Sequence, residues 1–184
     1  MELSEKQIPW IREGYKVFAQ EGPPGLKIER LARAVEKNKS SFYHYFADLE
    51  IFTEELLKYH LKRAYEIAEI EKQSQNLEEL MGVMVAHKED LLFNRQLRVH
   101  RTRPLFMACL QETNEIFGQS IMHIWAQALG LEYNSYLAAL VLKLSIENFF
   151  LQITEEHMNI SWLKNYFQEI REMVQAFKMA PEFQ

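Results

Sequence analysis

The eight residues from Lys39 to Phe46 combine several side chains that could contact another molecule. They read K-S-S-F-Y-H-Y-F, with four aromatic rings, two serines, one lysine, one histidine and no acid. On a helix that turns about 100° per residue, Phe42 and Phe46 fall on one side, and His44 and both serines fall on the other. The spacing predicts an amphipathic helix whose aromatic side enters the core and whose opposite side is small and polar.

The start of this helix has properties that favour an anion. Asn38 is a good N-cap, and the first N–H groups of a helix attract phosphate. Short serine side chains allow a close approach, and the Tyr43 hydroxyl could donate to a phosphate oxygen. In the alternative interpretation, Tyr43, His44 and Tyr45 simply pack on the next helix. The helical wheel alone does not decide between the two.

The rest of the chain also has helical periodicity. Helices are predicted at 8–18 and 28–35, separated by Gly-Pro-Pro-Gly at 22–25, and Asp48 is a plausible N-cap for a long helix ending near residue 72. Four more are predicted at 77–92, 105–129 (with Gly118 as a weak point), 134–156 and 161–177, and residues 95–103 are predicted to be a basic joint ended by Pro104. No alternating run typical of strands is found, so we expect an all-α fold.

Composition narrows the class of protein. Apolar residues make up 48% of the chain, which is enough for a large core. Cys109 is the only cysteine, so no disulfide framework is expected. The N-terminus lacks an apolar run of signal-peptide length, and the longest apolar stretch, near 136–153, is interrupted by charged residues. We therefore expect a soluble cytoplasmic protein with no membrane partner.

Charge is distributed unevenly along the chain. The net charge of −5 argues against a nucleic-acid coat over the whole protein. Residues 27–45, however, contain five bases and only two acids. A locally basic segment therefore precedes an acidic remainder.

Residues 28–46 have the layout of a helix-turn-helix, two short helices joined by a turn of three to four residues. Together with F-A-Q-E-G at 18–22, I-E-R-L-A at 28–32 and S-S-F-Y-H-Y-F at 40–46, they resemble the TetR family of transcriptional regulators. The resemblance implies an N-terminal three-helix helix-turn-helix DNA-binding domain at 1–47 and a C-terminal helical effector-binding and dimerisation domain at 48–184. It also implies a homodimer that binds double-stranded operator DNA and is released by a small-molecule effector.

The resemblance and the local basic charge select the expected DNA contacts. These are Lys27, Lys37, Lys39, Ser40, Ser41, Tyr43, His44 and Tyr45. The sequence departs from the family pattern at Glu36 and Lys37, where a glycine and an apolar residue are usual, and at Leu49, where a phosphate-binding lysine is common. Lys27 also stands where a serine or threonine cap is frequent. These departures favour an alternative, a TetR-like ligand-binding dimer or regulatory partner that has lost specific DNA binding.

By the resemblance, the last two helices of each subunit form a four-helix dimer interface. The helix at 134–156 is apolar nearly all round, so it must be covered on both sides. The residues expected at this interface are Leu144, Phe150, Tyr166, Phe167, Ile170 and Val174. The alternative is a single large core in a monomer.

The middle helices are expected to house the effector. Thioether and aromatic side chains adapt to varied apolar ligands, and R-Q-L-R-V-H-R-T-R at 95–103 adds four arginines and a histidine. The expected effector-binding residues are Met84, Phe93, Arg98, Arg101, Phe106, Met107, Phe117 and Trp125. Each apolar member could instead be ordinary core, and the arginines could form a solvated joint paired with Glu89 and Asp90.

The remaining candidate function is that of an enzyme. The sequence has no Glu-x-x-His, no His-Glu-x-x-His and no glycine-rich phosphate loop. Cys109 could pair with His87, His100 or His123, but a lone cysteine in an apolar helix is more typical of packing. We therefore predict no catalytic residue, no metal ligand and no cofactor.

Overall fold

The computed structural model describes residues Leu3 to Met179, and it contains nine α-helices and no strand over that range. The helices are α1 (Ile8–Glu21), α2 (Ile28–Ala34), α3 (Lys39–Phe46), α4 (Leu49–Glu71), α5 (Leu77–Ala86), α6 (Lys88–Val99), α7 (Pro104–Ala128), α8 (Ser135–Gln152) and α9 (Ile160–Met179). The all-α prediction is confirmed. The first two and last five residues of the predicted domains lie outside the described range.

None of the helices between Leu3 and Met179 has the length and hydropathy needed to cross a membrane.

The chain divides into two compact units. The first comprises Met1–Tyr65 and Glu89–Asn114, and the second comprises Glu66–Lys88 and Glu115–Gln184. Both α4 and α7 therefore contribute residues to each unit. The functional boundary between residues 47 and 48 remains a prediction.

The region from 77 to 103 differs from what the sequence predicted. The prediction of a single helix at 77–92 is wrong. Helix α5 ends before His87, which has φ −110° and ψ 29°, and α6 starts at Lys88. The basic joint expected at 95–103 is also wrong in extent, because α6 continues to Val99. The break places Glu89 and Asp90 in the first turn of α6, where acids are favoured by the helix dipole.

Other boundaries agree closely with the sequence. The third helix has the predicted limits, and the Asp48 carboxylate caps α4 by accepting from the Ile51 N–H at 2.9 Å. Helix α7 runs unbroken through Gly118. Helix α8 ends at Gln152, earlier than expected, because Ile153 has extended backbone.

An aromatic cluster fixes α3 on α1 and α4 in the first unit. The ring of Phe42 lies 5.5 Å from that of Trp10 and 5.2 Å from that of Phe52, and Phe46 is 4.9 Å from Phe52. Gly14 makes the close approach of α4 possible, because a Cβ there would lie 2.4 Å from the Phe52 ring. This packing holds one face of α3 in the core and fixes which face points outward.

A buried hydrogen-bond network joins α1, α4 and α6 in the same unit. The Asp90 carboxylate accepts from the Tyr15 hydroxyl at 2.7 Å and from two N–H groups of Arg63 at 2.9 and 2.6 Å. Because the Tyr15 hydrogen points to Asp90, the Nδ1–H of His60 donates to the Tyr15 oxygen, at 2.7 Å. Burial lowers the pKa of His60 to about 3, so this ring, stacked on Phe93, is neutral.

Asp90 is the centre of this network. Burial alone would raise the pKa of Asp90, but hydrogen bonds from Arg63 and Tyr15 outweigh it and leave the pKa lowered. Burial and the charge of Asp90 raise the pKa of the Tyr15 hydroxyl. Asp90 is therefore ionised and Tyr15 protonated at neutral pH, which is the arrangement that the hydrogen bonds require.

The second unit buries a carboxyl group at the end of α4. Glu71 is 5% exposed, and its carboxyl is hydrogen-bonded to the Ser120 hydroxyl. Burial raises the pKa of Glu71 to about 7, although the Ser120 hydrogen bond opposes the rise. Elsewhere in this unit, the Trp125 indole donates to the Ala138 carbonyl at 3.0 Å and the Tyr166 hydroxyl donates to the Ser145 carbonyl at 2.7 Å.

The raised pKa of Glu71 predicts a pH-dependent stability. A carboxyl whose pKa is higher in the folded state than in the unfolded state stabilises the fold at low pH, and this contribution is lost as pH rises from about 4.5 to about 7. Gln does not ionise, so the variant does not lose this contribution. Measured relative to the parent, the free energy of unfolding of Glu71→Gln should therefore rise by up to about 3 kcal/mol from pH 4.5 to pH 8. Urea unfolding at both pH values measures this. Glu69→Gln, an exposed change on the same helix, is the control, and parallel pH curves for parent and Glu71→Gln would contradict the interpretation.

Candidate nucleic-acid interface

The turn between α2 and α3 contains a strained residue. Glu36 has φ 55°, a left-handed conformation that costs a non-glycine residue about 1–2 kcal/mol. The turn is closed by the Lys37 N–H, which donates to the Ala32 carbonyl at 2.9 Å. The helix-turn-helix layout is thus present, although the turn contains Glu36 and Lys37 in place of the usual glycine and apolar residue.

The N-cap predicted for α3 is present. The Asn38 side-chain oxygen accepts from the Ser41 backbone N–H at 2.8 Å and from the Ser41 hydroxyl at 2.9 Å. The hydroxyl hydrogen of Ser41 is therefore directed at the cap. Its oxygen is left as an acceptor, which suits the amino groups of adenine and cytosine in the major groove.

The outward face of α3 is polar and accessible. Phe42 and Phe46 are fully buried, whereas Tyr43 is 52% exposed and Ser40 and His44 are exposed. The interpretation that Tyr43 and His44 pack on the next helix therefore does not hold. Tyr45 is half-buried, and its carbonyl accepts from the Gln7 side chain at 3.4 Å, so it is the member of the set most involved in the fold.

Two of the basic residues beside this face already have acidic partners. Lys39 forms an ion pair with Glu29 on α2, and Arg30 pairs with Glu21 at 2.6 Å. The hydrogen bond from Lys39 lowers the pKa of Glu29. All four side chains are about half exposed, and exposed pairs of this kind are worth little, so a phosphate could replace Glu29 as the partner of Lys39.

Glu29 is a residue that sequence reasoning did not connect with the site. It lies ten positions before Lys39 and on another helix, so no local pattern joins them. Lys27 and Lys37 are exposed, and Lys27 makes no side-chain cap to α2. Leu49 is half-buried at the start of α4, where it offers no cation.

The residues predicted for a dimer interface lie in the second unit. Leu144 is 67% exposed and Phe167 is half-buried. The other four, Phe150, Tyr166, Ile170 and Val174, are buried within the subunit. Six further large apolar side chains on α8 and α9 are exposed: Tyr136, Leu140, Leu151, Met173, Phe177 and Met179.

The residues predicted to bind an effector are divided between the two units. The first unit contains Phe93, Arg98, Arg101, Phe106 and Met107, and the second contains Met84, Phe117 and Trp125. Phe93 and Phe106 are brought together, since both pack on the Phe18 ring, at 4.2 and 5.6 Å. Met107 and Met84 are half-buried, while Phe117 and Trp125 are buried.

The arginines of the predicted basic joint have different environments. Arg98 is only 7% exposed, and its guanidinium donates to the side-chain oxygens of Asn94 and, at 2.5 Å, Asn114. Arg101 is exposed. Arg98 is therefore part of the packed first unit and not of a solvated joint.

The metal-site and cysteine candidates can be compared with the described residues. Between Leu3 and Met179 no three His, Cys, Asp or Glu side chains are grouped to hold a metal ion. Cys109 is buried, and burial raises the pKa of its thiol to about 12. It is therefore a protonated packing residue at neutral pH.

Comparison with solved structures supports the fold. Salmonella enterica GusR matches with a TM-score of 0.60 at 15% identity, covering 96% of this chain and 98% of that one. A Mesorhizobium loti protein assigned to the TetR family of transcriptional regulators matches with a TM-score of 0.59 at 16% identity, covering 93% and 95%. The multidrug binding protein EbrR, complexed with malachite green, matches with a TM-score of 0.52 at 16% identity, covering 94% and 98%.

No family model and no curated protein matches the sequence. At these identities the structural matches establish the fold, which extends over nearly the whole chain. This fold is that of TetR-family regulators, an N-terminal helix-turn-helix followed by further helices.

Proposed function

We propose that the protein is a ligand-responsive transcriptional regulator of the TetR family that binds operator DNA as a homodimer through α3. The observation that carries this proposal is the outward face of α3, a polar surface without an acid on which Ser40, Tyr43 and His44 are exposed and Ser41 is half-buried. A helix-turn-helix places the N-terminal part of such a helix in the major groove. Release of the DNA by an effector would make the protein a repressor.

In this proposal the side chains of α3 have separate roles. The Tyr43 hydroxyl and the Lys39 ammonium bind phosphates, which fixes position on the duplex without reading sequence. Ser41 and His44 face the base edges and supply sequence preference. Lys27 and Lys37 are exposed nearby in the chain and add further phosphate contacts.

A gel-shift assay with the promoter region of the protein's own operon tests this. Retardation that survives excess nonspecific DNA supports the regulator. The second candidate function, a TetR-like ligand-binding dimer without specific DNA binding, is favoured by the ion pair of Lys39 with Glu29 and by the absence of a cation at Leu49. Nonspecific retardation alone, which excess competitor removes, would support that candidate.

A dimer formed by α8 and α9 is supported by exposed apolar side chains on both helices, Leu144 and Leu151 among them. Leu144→Arg should shift the protein to monomer, because a charge buried without a partner in an interface is strongly unfavourable. Light scattering at micromolar concentration, with circular dichroism to confirm folding, measures the change. Tyr133→Arg, at a fully exposed loop position, is the matched control. A parent protein that is already monomeric would contradict the dimer.

The effector is proposed to be a mainly apolar molecule of drug or lipid size. Of the two arginines expected to meet an anionic group on it, Arg101 is the exposed one, since Arg98 is buried and hydrogen-bonded to Asn94 and Asn114. EbrR holds malachite green, a bulky aromatic cation, so cationic dyes belong in the screen beside fatty acids and acyl thioesters. An effector lowers operator affinity only by binding the DNA-incompetent form more tightly, and a tenfold loss needs about 1.4 kcal/mol of coupling.

We expect at least one apolar compound both to raise the thermal midpoint and to weaken operator binding. The route we propose is α4, which begins beside Phe46 and extends into the second unit. Compounds that stabilise the protein yet leave operator affinity unchanged would contradict the coupling, and a screen that favours cations would remove the role of the arginines.

A further inference from the structure

A cleft of about 560 Å³ opens in the first unit between α1, the end of α2, α4 and the start of α6. Its volume is within the range of small-molecule sites. Its lining includes Arg12, Glu13 and Lys16 from α1, Tyr59 from α4 and Glu89 from α6. The DNA-binding role proposed for α3 does not use this cleft.

Apart from Arg63, which is paired with Asp90, the charged side chains around the cleft are balanced and form no ion pairs with one another. Arg12 and Lys16 are positive, and Glu13 and Glu89 are negative. Over residues 3–179, none of these four side chains forms an ion pair or a side-chain hydrogen bond. Several other charged side chains of the first unit do pair with neighbours, as Lys58 does with Glu55 at 2.7 Å. Two charges of each sign are therefore available to a bound molecule.

Part of the lining is held rigid by the buried network. Tyr15 and Arg63 both line the cleft, and the Asp90 carboxylate fixes both through the hydrogen bonds at 2.7, 2.9 and 2.6 Å. A lining that is already ordered costs less to organise when a ligand binds. Desolvation and the neighbouring Asp90 raise the pKa of Glu89, although the charges of Arg63 and Lys16 oppose the rise. A further cation beside this carboxylate would therefore favour its charged form.

We propose that this cleft binds a small zwitterion, an α-amino acid or short peptide, whose ammonium group faces Glu13 and Glu89 and whose carboxylate faces Arg12 and Lys16. A simple anion would meet two carboxylates, and a simple cation would meet two bases, so only a molecule with both charges matches the lining. Tyr59, with Val35 at the end of α2, provides apolar surface for the ligand's side chain. The proposal is independent of operator binding.

A thermal-shift screen of the twenty L-amino acids and their glycyl dipeptides, followed by calorimetry, tests the proposal on the full chain. We expect a zwitterion that binds with a Kd below about 1 mM. Its carboxamide, which lacks the carboxylate, and its deaminated acid, which lacks the ammonium group, should each bind at least about tenfold more weakly.

Matched variants locate the site. Arg12→Gln and Glu13→Gln should each weaken binding about tenfold or more, whereas Glu21→Gln with Arg30→Gln, an ion pair outside the cleft, should leave binding unchanged. Absence of binding by every member of the panel, equal binding of a singly charged analogue, or unchanged binding by both cleft variants would overturn the proposal. A gel shift on the same preparation reports operator binding separately, so the two proposals can fail independently.

Discussion

Replacing Ser41 with Ala, Tyr43 with Phe and His44 with Ala together should reduce operator affinity by about a hundredfold or more. The estimate follows from losing two base contacts and one phosphate contact, each base contact worth about 1–3 kcal/mol. Tyr43 and His44 are exposed and Ser41 is half-buried, and Tyr43→Phe keeps the ring that lies 5.8 Å from Phe42. The loss should therefore come from the interface and not from unfolding, which circular dichroism and thermal melting can verify.

The single changes should differ in kind. Tyr43→Phe should weaken binding about equally on all sequences, whereas Ser41→Ala and His44→Ala should relax sequence preference. The same three types of substitution at Ser135, Tyr133 and His123, all exposed positions in the second unit, form a matched control that should bind like the parent. If the α3 triple variant bound operator as tightly as the parent, α3 would not be the recognition helix.

Asp90→Ala should have the largest effect on stability, about 3–5 kcal/mol. Removing the buried carboxylate of an ion pair is strongly destabilising, and here the hydrogen bonds of Asp90 with Arg63 and with the Tyr15 hydroxyl are lost together. Asp90→Asn keeps an acceptor oxygen but not the charge, so it should be less damaging. Urea unfolding measures both variants.

The control for Asp90→Ala is Glu89→Ala. Glu89 is the preceding residue on α6, but it is exposed and makes no hydrogen bond to Tyr15 or Arg63. Its replacement should change the free energy of unfolding by less than about 0.5 kcal/mol. Should Asp90→Ala unfold at the same urea concentration as Glu89→Ala, the network would not be a stabilising centre.

Local patterns were sufficient to predict α3 and its boundaries. Its N-cap, Asn38, and its two buried rings, Phe42 and Phe46, all lie within nine residues. A short window of the sequence therefore contains the signals that define this helix. The break at His87 could not be found in this way. Residues 77–92 have a continuous helical pattern, whereas Asp90, on the C-terminal side of the break, is hydrogen-bonded to Tyr15 and Arg63, which are distant in sequence.

The same distinction applies to the sites. The outward face of α3 could be predicted because one helix supplies it. The partner of Lys39, Glu29, could not, because it belongs to another helix. The charged cleft is assembled from four separate segments, so no window of the sequence contains its pattern.

The measurement that tests the central claim most directly is selection of double-stranded DNA from a random library by the parent protein, followed by sequencing. If α3 is the recognition helix of a homodimer, a pseudo-palindrome should be enriched whose half-sites are centred about 10–10.5 base pairs, or a multiple of that, apart, because two recognition helices must reach major grooves on one side of the duplex. The α3 triple variant should enrich nothing. A parent protein that enriches no sequence over the starting library, at salt low enough for nonspecific binding to be seen, would contradict the account.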